Sequence, residues 1–319
     1  MQKLKHKFEP RVVEGYRLNI KPNYIVQTPI LSGENQRKSK KQIANEKNLA
    51  NTETSGILSK KSKQKLLNSI NWLVASAKNK KAFHFKTKNS YDYKLTFITL
   101  TIPIQENNQV TEKEFKSLIN TWLTYARQYL KLKNYIWKIE AHKDGRLHIH
   151  ITADTFLHYQ KIRASWNAIL QKRGLLEYHF SKFGNYNPNS TDIHSVRNVN
   201  NIQAYISKYM TKASAICIQF KGRIWGCNYL ISEANKCVLI ATIDEMEEWI
   251  KPLSNPNIEY KSIESLPDCL GNTKSLGYIY FLKLQDWKNL MFGKIKEVFI
   301  NHIKLIQGIN INSQIKLAY

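Results

Sequence analysis

The stretch Glu140-Ala-His-Lys-Asp-Gly-Arg-Leu-His148-Ile-His150 carries a carboxylate and two imidazoles, a donor set suited to one divalent metal ion. In Leu147-His-Ile-His-Ile151 the strand period of two sends His148 and His150 to one face and Leu147, Ile149 and Ile151 to the other. Whether Glu140 joins the imidazoles depends on the register of the hairpin. A two-residue Asp144-Gly145 turn sets Glu140 against Ile149, on the wrong face. A three-residue loop, Lys143-Asp-Gly145, pairs His142 with Arg146 and brings Glu140 opposite His148. Trp137, Ile139 and Ala141 are the apolar parity of the first strand and must share a face with Leu147, Ile149 and Ile151. That requirement selects the three-residue loop, with Gly145 in its left-handed position. The expected ligand set is therefore Glu140, His148 and His150, with His142 nearby. The ligand types admit Mn²⁺, Zn²⁺ or Mg²⁺, and Mg²⁺ or Mn²⁺ suits phosphate chemistry best.

A second constellation lies downstream, in Tyr205-Ile-Ser-Lys208-Tyr209-Met-Thr-Lys212. At i, i+3, i+4 and i+7, Tyr205, Lys208, Tyr209 and Lys212 form one stripe of a helix, while Ile202, Ile206, Met210 and Ala213 line a separate apolar stripe. A phenol has a pKa of about 10, so it attacks phosphorus only where its charge and that developing on the phosphate are neutralised. A metal ion and an adjacent lysine meet that demand, with Lys208 placed ahead of Lys212.

These groups must be held by a folded domain, and the chain is long enough for one: 319 residues, 42% of them hydrophobic. With 49 Lys and Arg against 24 Asp and Glu, the net charge of +25 points to a polyanionic partner, and nucleic acid is the first expectation. A basic membrane-surface protein is disfavoured, because no Lys/Arg-rich amphipathic helix dominates. The start, Met1-Gln-Lys-Leu-Lys-His, lacks an apolar signal core, and no apolar run reaches membrane-spanning length, so a soluble intracellular protein is expected. Cys217, Cys227, Cys237 and Cys269 fit no common zinc spacing and are read as reduced and mostly structural.

Residues 1–65, rich in lysine at Arg37-Lys-Ser-Lys-Lys41 and Lys60-Lys-Ser-Lys63, read as a basic, partly flexible arm. Leu66, Ile70, Leu73 and Ala77 predict an amphipathic helix over 62–80 with Ser62 as N-cap. Lys94 to Ile102 reads as a strand. Thr111-Glu-Lys-Glu114 opens a helix by a capping box, with Phe115, Leu118, Ile119, Trp122 and Tyr125 as its core stripe. Strands at 135–142 and 146–153, a helix at 158–172, a strand at 192–196 and a helix at 199–212 complete a β-α-β-β-α-β-α order. Further strand-like pieces follow at 215–220 and 236–243, then a helix at Asp244 and a boundary at Pro252–Pro256. The expected class is α+β, a central antiparallel sheet flanked by helices with α/β extensions at both ends. The expected division is the 1–65 arm, a catalytic domain at 66–235 and an extension at 236–319. No GxxxxGK[ST] loop is present, so no P-loop motor is expected.

At these residues the chain resembles the HUH endonuclease superfamily, specifically the two-tyrosine replication initiators of small circular single-stranded DNA phages and related plasmids. Phe97-Ile-Thr-Leu-Thr101 resembles the first, hydrophobic strand motif, His148-Ile-His150 the histidine-hydrophobe-histidine motif, and Tyr205-Ile-Ser-Lys208-Tyr209 the tyrosine motif. Glu140 matches the position from which a third metal ligand is often drawn. The resemblance covers about residues 93–211. It implies an HUH nuclease fold of the ferredoxin or RRM-like kind and a nickase that cleaves one strand at an origin, joins its 5′ end to tyrosine and frees a 3′-hydroxyl. It further implies single-stranded origin DNA, a host helicase and a host DNA polymerase as partners, in the cytoplasm of a host cell. A two-tyrosine transposase or a relaxase shares this chemistry. A non-catalytic protein binding single-stranded DNA or RNA, with tyrosines and histidines stacked on bases, is the reading of another class.

Overall fold

The computed structural model describes residues 13–31, 53–54, 56–84, 87–106, 110–197, 202–211, 220–254, 256, 258–263, 277–283, 286–289 and 293–309. Among these residues the strands run in chain order: β1 (Val13–Lys21), β2 (Tyr24–Leu31), β3 (Glu53–Thr54), β4 (Lys80–His84), β5 (Asn89–Thr101), β6 (Tyr135–Ala141), β7 (Leu147–Ala153), β8 (Thr191–Arg197), β9 (Phe220–Lys221), β10 (Trp225–Cys227), β11 (Val238–Ala241), β12 (Tyr260–Ile263) and β13 (Gly277–Phe281). The α-helices are α1 (Lys60–Ser76), α2 (Glu112–Tyr129), α3 (Tyr159–Gln171), α4 (Glu177–Phe183), α5 (Ile202–Thr211), α6 (Tyr229–Ala234), α7 (Ile243–Ile250), α8 (Asp286–Asn289) and α9 (Lys294–Ile306). The class is α+β, with antiparallel sheets flanked by helices. No described helix is long and apolar enough to cross a membrane.

The chain divides into two compact units, one of Met1–Lys38 with Lys236–Tyr319 and one of Ser39–Asn235. In the first, a sheet of order β11-β1-β2-β13-β12 joins strands from both ends of the chain. No strand was expected within Val13–Leu31. Leu18, Ile20 and Ile25 are fully buried in that sheet, but the strands that pair with this hairpin lie at 238–241 and 277–281, too distant for local pattern to reveal. The Arg37–Lys41 run, the 215–219 segment, Cys217 and Cys269 lie outside the described residues. The described Cys227 and Cys237 are free thiols.

The second unit is built on a sheet of order β10-β6-β7-β5-β4, with β8 also pairing β5. One face carries Ile98, Leu100, Ile139, Ile149 and Ile151, which form a core with Phe115, Leu118, Ile119, Trp122, Ile162 and Trp166 from α2 and α3. Helix α2 starts at Thr111, whose hydroxyl accepts from the Glu114 N–H while the Glu114 carboxylate accepts from the Thr111 N–H, the expected capping box. Tyr125 departs from its expected place in the core stripe: it stands exposed, and Ala126 faces the core, since 126 continues the i+4 step from Trp122. The N-cap of α1 is Ser59, not Ser62; the Ser59 hydroxyl accepts from the Ser62 N–H, and the helix gains a polar first turn that no apolar periodicity marks. Gly222-Arg-Ile-Trp-Gly226 leads into strand β10, which pairs β6. Gly226 lies against the Trp137 ring, where an added Cβ would come within 2.9 Å.

Candidate metal centre and tyrosine helix

The β6–β7 hairpin has the register that the polarity of its two strands demanded. Glu140 stands opposite His148, Lys138 opposite His150 and Ala141 opposite Leu147. The His142 N–H donates to the Arg146 carbonyl at 2.8 Å and the Gly145 N–H donates to His142 O at 3.0 Å, closing a three-residue loop with Gly145 at φ 84°. Only a residue tolerant of the left-handed region closes this loop without strain. On β5, Thr101 pairs His148, Thr99 pairs His150 and Phe97 pairs Thr152, so these three residues share the face of the imidazoles.

On that face the side chains of Glu140, His148 and His150 converge, each with a ligand atom within 4.8 Å of the others. The two Nε2 atoms are 3.0 Å apart, and Glu140 Oε2 lies 3.7 Å from His148 Nε2 and 3.5 Å from His150 Nε2. Neighbouring ligands of a six-coordinate ion bonded at about 2.1 Å lie about 3 Å apart, so this donor set fits a small divalent cation after a slight closure. The surroundings fit one as well. Thr99 Oγ1 lies 3.0 Å from His150 Nδ1, a contact that holds the ring with its Nε2 facing the cluster. Glu140 and His148 are buried and His150 half-buried. Burial opposes the charge on Glu140, yet the His148 and His150 imidazoles and the Lys138 ammonium outweigh it and hold the carboxyl well below the usual range. Glu140 is thus ionised at neutral pH, as a candidate cation ligand must be. His142 stays outside the cluster: its ring centroid is 6.0 Å from that of His148, and its Nδ1 lies 3.4 Å from Asp144.

Helix α5 packs on α1, with Ile206 and Met210 fully buried. Its other stripe presents Tyr205, half-buried, and Lys208 and Tyr209, both exposed. Lys212 lies outside the described residues. The Tyr205 and Tyr209 rings are 5.0 Å apart, so both phenols serve one region of space. Burial first, then the hydrogen bond and charge of Tyr209, raise the Tyr205 phenol above its ordinary value.

Phe97 links the two constellations. Its ring, 4% exposed, lies 5.2 Å from the His150 ring and 5.7 Å from that of Tyr209, with His194 of β8 at 5.3 Å. The tyrosine helix therefore stands one aromatic ring from His150 of the candidate donor set. No chemical part was expected of Phe97, Thr99 or Lys138. Lys138 was legible in principle, because a lysine on the parity of Glu140 breaks a strand that is otherwise suited to burial.

Residues 95–214 match a family model described as a replication-associated protein of the ORF2 kind. No curated protein and no solved structure matched the chain. The matched segment contains β5 from Leu95 onward, the β6–β7 hairpin and the tyrosine helix, and it supports a replication initiator of the Rep type.

Proposed function

We propose that this protein nicks one strand of DNA at an origin and rejoins it by transesterification through tyrosine, with Tyr205 and Tyr209 as nucleophiles. One observation carries the reading: His150 of the Glu140, His148 and His150 donor set and the Tyr209 ring both pack against a single residue, Phe97. The activity is assigned to residues 66–235, with residues 1–65 and 236–319 outside the chemistry. Glu140, His148 and His150 would hold the ion, Mg²⁺ or Mn²⁺, which when bound supplies polarisation of the non-bridging phosphate oxygens.

Tyr209 is the more exposed phenol and the one in contact with Phe97, so it stands first in line. Its oxygen forms a bond to phosphorus as the bond from phosphorus to the 3′-oxygen breaks. The phenol proton passes to solvent, and the leaving oxygen takes up a proton to become a free 3′-hydroxyl, the primer for a host polymerase. Lys208 lies one residue before Tyr209 on the exposed side of α5 and offsets negative charge at the reacting phosphate. Tyr205, one helical turn away with its ring 5.0 Å from that of Tyr209, is a reserve nucleophile for the second transfer that closes the displaced strand. The match to replication-associated proteins supports the place of this chemistry in replication, with a host helicase supplying unwinding.

The test is covalent trapping of labelled DNA from a randomised pool of single-stranded hairpins in Mn²⁺. A tyrosine-linked product is expected from the wild type and none from the Tyr205→Phe, Tyr209→Phe double variant. Absence of product from the folded wild type sinks the nuclease and leaves the DNA-binding reading. Persistence of product in the double variant sinks the assignment of the nucleophiles.

A further inference from the structure

A lysine sealed from water is an unusual occupant of a strand, and Lys138 is 0% exposed. Its ammonium contacts Glu140 Oε1, whereas the oxygen that faces both imidazoles is Oε2. Lys138 sits two residues before Glu140 on β6, hence on the same face, and directly opposite His150 on β7. The carboxylate is therefore divided between two partners, the Lys138 side chain behind Oε1 and the candidate cation position before Oε2.

The consequence is a matter of charge. Ligand imidazoles are neutral, so Glu140 and the cation alone leave a net +1, and Lys138 restores the full +2 of a divalent ion to the cluster. We propose that Lys138 is a positioning residue that confines Glu140 to a single metal-facing oxygen and cancels its charge from behind. The site then trades cation affinity for a stronger pull on the phosphate oxygens. This inference rests on the metal-site reading above.

A supporting role in packing alone predicts weaker cation binding when Lys138 is replaced. Charge cancellation predicts the reverse, because a positive charge that repels the cation is removed. Full-length wild type, Lys138→Met and Lys138→Gln are titrated with Mn²⁺ and free Mn²⁺ is followed by electron paramagnetic resonance, with folding checked by circular dichroism. The glutamine amide keeps a hydrogen bond to Glu140 without the charge. Both variants are expected to bind Mn²⁺ on the order of 10-fold more tightly, the usual size of a coupling between adjacent sites. Both are also expected to form the DNA adduct more slowly at saturating Mn²⁺. Unchanged or weaker binding by the folded variants overturns the inference while leaving the metal site standing. Failure of both variants to fold in saturating Mn²⁺ overturns it too, since the cation itself brings positive charge to Glu140. Absence of Mn²⁺ binding in the wild type, equal to that of Glu140→Gln, overturns the metal-site reading beneath it.

Discussion

Replacing Phe97 by leucine should uncouple the tyrosine helix from the metal ligands. The ring is 4% exposed and packs against His150, His194 and Tyr209 at centroid distances of 5.2, 5.3 and 5.7 Å. Truncation of such a residue to alanine costs about 3–5 kcal/mol, and leucine restores about half of the carbons so removed. The substitution also removes aromatic contacts worth about 0.5–1.5 kcal/mol each in favourable cases. The expected loss is therefore about 2 kcal/mol, small enough for the protein to stay folded and measurable as a shift of the urea midpoint with unchanged slope. The kinetic loss should be larger than the thermodynamic one. Tyr209 is an exposed side chain whose ring packs on Phe97, and a displacement of about 1 Å of a reacting group costs on the order of 100-fold in rate. Mn²⁺ affinity should barely change, because Thr99 and the β6–β7 register hold the ligands independently of this ring. The assays are urea unfolding, Mn²⁺ titration and the rate of covalent adduct formation at saturating Mn²⁺. An adduct rate equal to the wild type's, with the stability loss present, refutes Phe97 as the link. A parallel collapse of Mn²⁺ binding refutes the claim that the ligands are held separately.

Thr99→Val keeps the shape and branching of the strand residue but removes the hydroxyl on His150 Nδ1, so Mn²⁺ affinity should fall about 10- to 100-fold with little change in stability; calorimetric titration checks it, and unchanged affinity counts against the anchoring role. In the unit containing both chain ends, burial first and the neighbouring Tyr278, Tyr260 and Tyr16 next push the Tyr280 phenol up to about 12, while its hydroxyl donates to Gln27 at 3.0 Å. The phenol of the unfolded chain ionises near its ordinary 10.0, so the stabilisation is complete below that pH and is lost as pH rises through it toward about 12. Denaturant midpoints measured across this window should fall more steeply for the wild type than for Tyr280→Phe, and equal slopes refute the assignment.

Much of the unit that carries the candidate site was legible because its information is local. The strand period of two and the loop residues 143–145 sufficed to choose among registers, since the wrong one turns an entire apolar face to solvent. The stripes of α5 followed in the same way from helical spacing, with Ile206 and Met210 buried and Lys208 and Tyr209 exposed. Tyr125 and Ser62 were misplaced where a single residue decides a helix face or its first turn, and there neighbouring residues fit the same pattern almost equally well. The hairpin of Val13–Leu31 was invisible because half of what makes it a sheet comes from strands more than 200 residues away.

By itself, the amino-acid sequence determined which groups are available and which face each occupies: a carboxylate and two imidazoles on one side of a hairpin, two phenols and a lysine on one side of a helix. Tertiary structure alone decided that the two sets meet across Phe97, that Thr99 orients His150 and that Lys138 lies sealed behind Glu140. Side-chain parity follows from backbone geometry within a few residues. Proximity between β5, the hairpin and α5 comes from packing apolar surfaces that are remote in sequence, and the burial of a lysine depends on every element that closes around it.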